Sequence, residues 1–289
     1  MSRTRFDFVF GLGAGCSCSR MLRERGLQYA SFPLDWVGDP TLNAGVDLRL
    51  TIDVVAGGFQ NWFEKANLER TTLYDSENHV SYFDRGTRLY FAHDFAPGDD
   101  FALAYPAVRE KYLRRIARFK KILSAAKSAL VVWVADPRGN GEVVEDDIEY
   151  SLNVLRAAYP ETDFMLLVAN CVPGVLPEKM RVKRGKGYEC LSFDYRVVTD
   201  GPPTWDIRTE LFAPILDRFA AVDYRTRAEK RANARREKAR AYVKFKADSP
   251  WTYFVNRLQF KLYRHFKRRL ERKGVLSSIE PSCRTGGCH

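Results

Sequence analysis

Along this chain, short and nearly continuous apolar runs alternate with longer stretches in which apolar residues recur every three or four positions. Phe6 to Leu12, Leu130 to Ala135 and Phe164 to Ala169 are of the first kind and read as buried strands. Val108, Tyr112, Ile116, Phe119 and Leu123 are of the second kind and predict a helix over residues 107–127. Ile148, Leu152 and Leu155 do the same for Glu145 to Ala158. The strand–helix–strand unit from Leu130 to Ala169 argues for parallel strands, because only a crossover joins neighbours of that sense.

Weaker patterns fill in the rest. His79 to Asp84 and Arg88 to Phe95 alternate, which predicts a hairpin around Arg85-Gly86-Thr87. In its second strand Leu89, Phe91, His93 and Phe95 share the apolar face, leaving Tyr90, Ala92 and Asp94 on the other. His93 is therefore expected at a buried or cleft-lining position. Phe59 to Asn67 reads as a short helix, Asp47 to Gly57 gives a mixed signal, and residues 172–188 read as a loop. Tyr188 to Tyr195 suits a strand, and Trp205 to Phe219 suits a helix with Ile207, Leu211, Ile215 and Phe219 on one stripe. The expected fold is α/β: a single domain over residues 1–222, with a mostly parallel central sheet plus a β-hairpin, followed by a basic helical tail over 223–289.

Charge separates the same two parts. The net charge is +11, yet residues 225–273 alone hold 18 Lys and Arg against 4 Asp and Glu. The first 224 residues are therefore mildly acidic, and arguments about anionic partners concern the tail. Ser249-Pro250 marks a helix start, and Trp251, Val255, Leu258, Leu262, Phe266 and Leu270 form an apolar stripe ringed by Arg and Lys, an amphipathic helix over 250–271. Such a helix suits an anionic membrane surface or a groove on the body; nucleic acid is less supported, since no recognised motif accompanies the charge. No apolar run reaches membrane-spanning length, and the N-terminus enters a strand without a signal-peptide pattern, so the expected location is the cytoplasm, with the tail resting on the inner face of the membrane. Cysteines at 16, 18, 171, 190, 283 and 288 have the irregular spacing of reduced thiols.

Candidate chemistry gathers where the first strand ends. Gly11, Gly13 and Gly15 break the apolar run, and Cys16 to Arg25 suits a helix that Gly26 stops. A strand, a glycine turn and a helix N-terminus form an anion-ready site, to which Gly13, Gly15, Ser17 and Arg20 are assigned. At about 100° per residue, Cys16 and Cys18 lie roughly 200° apart. Cys18 shares the face of Met21 and Leu22 and reads as core, whereas Cys16 shares that of Ser19 and Arg20. A thiol at a helix N-terminus beside an arginine has thiolate character and suits a nucleophile; a small buried hydrophobe is the alternative. A cysteine nucleophile needs an imidazole. His79 lies in a polar stretch and reads as solvated, His265 and His289 lie in the tail, and His93 is left as either a base or a core histidine. Arg114 and Arg118, one helical turn apart, are either a solvated face or a clamp for carboxylate or phosphate. The spacings fit neither a metal site nor a dinucleotide fingerprint, so no cofactor is expected.

The stretch Gly13-x-x-Cys16-x-x-x-x-x-Leu22, then Gly26-Leu27 and Ser31-Phe32-Pro33-Leu34-Asp35-Trp36, resembles a bacterial family labelled putative papain-like cysteine peptidase. That family reads glycine, cysteine, helix, leucine, then Pro-Phe-Asp-Trp; Leu34 replaces the phenylalanine here. The resemblance continues through Phe91-Ala92-His93-Asp94-Phe95 and Tyr112-x-Arg114-Arg115-Ile116-x-Arg118-Phe119, and covers residues 6–170. It implies Cys16 as nucleophile, His93 as base and Asp35 as the group orienting the imidazole. Because the papain fold does not require a strand–helix–strand crossover, the label describes chemistry rather than architecture. Two functional classes follow: a cysteine-dependent hydrolase or acyl transferase acting on a peptide, acyl or glycan-related substrate, or a non-catalytic phosphate- or sugar-nucleotide-binding protein of surface-glycan or envelope assembly, docked on the membrane by its tail.

Overall fold

The computed structural model describes residues 3–248, apart from 14, 39–40, 198–203 and 205, with only the backbone for 240–248. The chain divides into two compact units, residues 1–224 and 225–289.

The first unit is a mixed α/β domain. The expected first strand divides at Asp7: β1 (Thr4–Phe6) pairs with a distant strand, and β2 (Phe8–Gly13) enters the main sheet. The carboxylate of Asp7 accepts the backbone N–H groups of Lys127 and Ser128, which pins the switch to the start of β7 (Ser128–Val134). After β2 come α1 (Gly15–Glu24), a 3-10 turn (Pro33–Trp36), β3 (Val37–Gly38) and α2 (Ala44–Ala56). Then β4 (Leu68–Thr71), β5 (Val80–Asp84) and β6 (Leu89–Phe95) precede α3 (Phe101–Ala125). The second half holds β7, α4 (Glu145–Ala158), β8 (Asp163–Cys171), β9 (Arg181–Gly185), β10 (Tyr188–Phe193), α5 (Ala213–Leu216) and β11 (Phe219–Ala221).

The central sheet has the order β2-β7-β8-β10-β9, parallel except for the edge strand β9. Both faces are covered, which is why β7 and β8 read as continuous apolar runs. Phe8, Phe10, Val131 and Trp133 face one core with residues of α2, α3 and α4. Val9, Leu130, Val132 and Val134 face the other with Cys18, Met21 and Leu22 of α1. A second, antiparallel sheet has the order β3-β6-β5-β4 and lays Phe91 and Phe95 against the first core, where Phe91 meets the rings of Phe63 and Tyr112.

Four local expectations are corrected. Asp47 to Gly57 forms most of α2: Leu48, Ile52 and Val55 recur on one buried face, and Asn43 caps the helix through a bond from Val46 N–H. No α-helix forms at Phe59 to Asn67, because Phe59, Asn61 and Phe63 all take left-handed backbone; their neighbours still bury Phe59, Trp62 and Phe63, and only a short 3-10 turn closes at Lys65–Asn67. Residues 172–188 include β9, whose side chains are all exposed. The helix expected over Trp205 to Phe219 shrinks to a 3-10 turn (Thr209–Phe212) and α5, since Pro214 fits only a first helical turn and Phe219 is drawn into β11 beside Thr4.

In the second unit, α6 (Arg227–Asp248) opens on a reciprocal cap: Thr226 N–H donates to the Glu229 carboxylate and Glu229 N–H donates to the Thr226 hydroxyl. The amphipathic helix expected over 250–271 lies outside the described residues. No helix among the described residues is long and apolar enough to cross a membrane.

Gly13 illustrates how tightly the end of β2 is built. Its φ is +74°, and a Cβ there would stand 2.3 Å from the Val134 carbonyl oxygen. Gly98 has a φ of +87° with nothing within 4 Å. Both alanine substitutions strain the backbone, but only Gly13→Ala also meets main chain. Urea denaturation is expected to show Gly13→Ala costing about 1–3 kcal/mol more than Gly98→Ala.

Candidate active site

Cys16 follows the glycine turn in the first turn of α1, beyond the carboxyl end of β2. The helix begins there because Gly13 and Gly15 both take positive φ, which redirects the chain from strand to helix in a few residues. The structure separates the two cysteines as their helical angle predicts, although Ser19, read as sharing the face of Cys16, is buried. Cys18 is 1 % exposed, its thiol donates to the Val132 carbonyl oxygen, and burial pushes its pKa up, helped by the charge of Asp35. Cys16 is half-buried and opens on a cavity of about 390 Å³.

His93 lines that cavity too. It arrives there by an irregularity that simple alternation does not anticipate. Phe95 pairs with Val80 and Phe91 with Tyr82, so β6 uses two more residues than β5 over this interval. Leu89, Phe91 and Phe95 keep the expected apolar face, but within the bulge His93 leaves it and is exposed. Asp94, not His93, turns toward α3, where its carboxylate accepts the Tyr112 hydroxyl at 2.7 Å and pairs with Lys111. His93 is released to the cavity, edge-on to Trp36 at 5.7 Å and to His79 at 5.3 Å between ring centroids. His79, expected to be solvated, is half-buried and a cavity wall. Burial, then the neighbouring His79 and Lys111, hold His93 below the usual imidazole range, and Asp94 opposes them. The ring therefore favours its neutral, proton-accepting form.

Asp35 stands behind this wall. It is 1 % exposed, and one carboxylate oxygen accepts the Phe32 N–H at 2.9 Å, the Gln28 amide at 2.8 Å and the Arg23 guanidinium at 3.4 Å. None of its hydrogen bonds reaches His93. Its influence runs through Arg23, which also donates to the Ser19 hydroxyl at 2.6 Å and lies 5.6 Å from the Trp36 ring. Ser19 in turn donates to the Cys16 carbonyl oxygen at 3.2 Å. The carboxylate thus ties the first turns of α1 to the 3-10 turn that carries Trp36.

The remaining candidates are dispersed. Gly15 lines the cavity, whereas Gly13 sits beneath the turn against Trp133 and Val134. Ser17 is fully buried, with no hydrogen-bond partner for its hydroxyl. Arg20, Arg114 and Arg118 are exposed and absent from the cavity wall, and Arg114 pairs with Glu110 on its own helix. Asp136 and Arg138, read only as loop residues, do line the cavity. Arg138 donates to both Asp136 oxygens, at 2.9 and 2.6 Å, and lies 5.7 Å from the Tyr74 ring. The signal for them was positional: they follow β7, the neighbour of β2, at the sheet edge where α/β domains place their sites. Among the described residues, no group of three or more His, Cys, Asp or Glu side chains is placed to hold a metal ion.

Burial raises the Asp35 pKa from 3.8 to about 6, against the opposing pull of Phe32, Arg23 and Gln28. A raised carboxyl pKa means that the folded state holds the proton more tightly than the unfolded chain does. Its stabilising contribution is present below about pH 4 and is lost as pH rises through about 6. Relative to Asp35→Asn, which does not titrate, the unmodified protein is expected to gain on the order of 3 kcal/mol between pH 7.5 and pH 4 in denaturant titrations.

A family model described as "Putative papain-like cysteine peptidase (DUF1796)" matches residues 7–157. No curated protein and no solved structure matches the chain. The matched segment runs from β2 through α4 and so includes Cys16, Asp35, His93, Asp136 and Arg138. With more than half of its residues inside the match, the chain belongs to that family.

Proposed function

We propose that the chain is a cysteine-dependent hydrolase or acyl transferase in which Cys16 is the nucleophile and His93 the base. One observation carries this reading: Cys16 and His93 open on the same cavity, while Cys18, Cys171 and Cys190 are buried. Burial pushes the Cys171 and Cys190 thiols up to about 11, so neither competes as a thiolate.

The chemistry is acyl transfer. The Cys16 sulfur attacks a substrate carbonyl carbon as its proton passes to neutral His93. The tetrahedral oxyanion finds unpaired backbone N–H groups in the first turn of α1. Collapse breaks the bond to the leaving group, which takes the proton from His93, and leaves a thioester on Cys16. Attack by water, or by an acceptor amine or hydroxyl, then releases the acyl group, and the thiol recovers its proton. Asp35 acts in this scheme as a positioning residue, through Arg23 and Trp36, rather than by touching the imidazole.

Labelling with iodoacetamide at pH 7, read peptide by peptide, tests the nucleophile. Cys16 is expected to react faster than Cys190 and faster than free glutathione, and His93→Ala to slow it by roughly tenfold or more. A Cys16 that reacts no faster than glutathione ends the proposal. Because His93 titrates below its ordinary 6.5, the acid limb of the pH–rate profile is expected below pH 6.5, with rate rising as the imidazole loses its proton.

A further inference from the structure

The cavity beside Cys16 is built for something other than an ion. Trp36, Val37, Leu73, Tyr74 and Ala92 give it a predominantly apolar wall. At about 390 Å³ it lies toward the small end of ligand pockets. Its charged walls cancel locally: Asp136 holds the Arg138 guanidinium through two hydrogen bonds, and Asp75 is paired with Arg70. His93 is held toward neutrality by burial and by His79. Among the described lining residues no unbalanced charge is left to hold an anion or a cation. Leu73 adds a second, independent sign. It is 62 % exposed in the turn between β4 and β5, a large aliphatic side chain in water at the rim of a concave apolar surface.

We infer that this cavity is a subsite for an uncharged apolar group, an aromatic or branched aliphatic side chain or a short acyl chain, carried by the molecule whose carbonyl Cys16 attacks, and that Leu73 is its specificity-determining residue. The inference rests on the proposed nucleophile for its place in the reaction, but not for the binding itself. Trp36 and Tyr74 supply aromatic walls, and Leu73 closes over the occupant from the rim. The Tyr74 wall is fixed in place: its ring lies where a side chain on Gly38 would be, with a Cβ there only 2.9 Å from the ring.

The test separates binding from reactivity. Cys16→Ala protein, which has no thiol at the site, is titrated with N-phenylacetamide, acetamide and acetate while the Trp36 indole N–H resonance is followed, assigned by its loss in Trp36→Phe. A saturable shift is expected with N-phenylacetamide at a concentration at least tenfold below that needed for acetamide, and Leu73→Asn is expected to raise that concentration threefold or more. Because Leu73 is exposed, this substitution leaves the core intact. No saturable shift with N-phenylacetamide, a preference for acetate, or an unchanged affinity in Leu73→Asn overturns the inference. Alkylation of the unsubstituted protein by iodoacetamide decides the Cys16 proposal separately, so either idea can fail without the other.

Discussion

A single buried carboxylate holds the site in shape. Asp35 is enclosed on all sides, yet one of its oxygens accepts from a backbone N–H, an amide and a guanidinium while the other has no partner. Burying a carboxylate is costly unless donors converge on it. Those donors come from α1, from the chain leading out of it, and from the 3-10 turn itself, so the geometry of three segments is fixed by the need to satisfy one group. The same device recurs at two other sharp turns of this domain. Asp84, fully buried, accepts the N–H groups of Phe63 and Gly86 and so binds the left-handed stretch before β4 to the β5–β6 turn. Asp7 does the equivalent for the β1–β2 switch. Short acidic side chains, rather than long apolar ones, decide where the loops lie.

That explains which parts were legible in the sequence. The strands β2, β7 and β8 and the helices α3 and α4 are specified by their own periodicity, since each must bury one continuous surface. The face split of Cys16 and Cys18 was legible for the same reason: helical angle alone separates them. The stretch Phe59 to Phe63 was not, because its buried aromatic residues mimic a helical stripe while left-handed backbone at three of its positions forbids the helix. The end of that stretch is held by Asp84, 21 residues away in sequence, which accepts the Phe63 N–H. The inverted face of His93 has a comparable origin. A bulge is invisible to a period-two reading, and the pull that selects it comes from Tyr112 and Lys111 on α3. Asp136 and Arg138 were hidden because neither residue type in a loop is unusual; only the strand order brings them beside the glycine turn.

The family motif reads differently once its residues are seen in place. Cysteine, aspartate and histidine in a cysteine-peptidase pattern suggest a linear relay in which the acid touches the imidazole. Here the aspartate faces the back of the helix that carries the cysteine, and tryptophan intervenes before histidine. The Pro-x-Asp-Trp turn works as a unit: proline starts the 3-10 turn, the buried aspartate clamps it to α1, and tryptophan presents a ring to His93. Leu34, which stands where the motif has phenylalanine, is a core residue with 4 % exposure.

Cys16 starts the helix that follows β2 of the central sheet, and His93 lies on β6 of the second sheet, so their meeting at one cavity depends on how the two sheets are joined. The weld is β3, only Val37 and Gly38, which leaves Trp36 directly and pairs with Phe91 and Tyr90 of β6. Trp36 is fixed to α1 through Arg23, and α1 carries Cys16, so the register of this two-residue strand sets where β6 ends relative to the thiol. A slip of one residue would exchange the two faces of β6 and take His93 off the cavity wall. Gly38 makes the pairing possible, because the Tyr74 ring occupies the space that any side chain there would need. The smallest strand in the domain therefore sets the relation between the two residues on which its proposed chemistry depends.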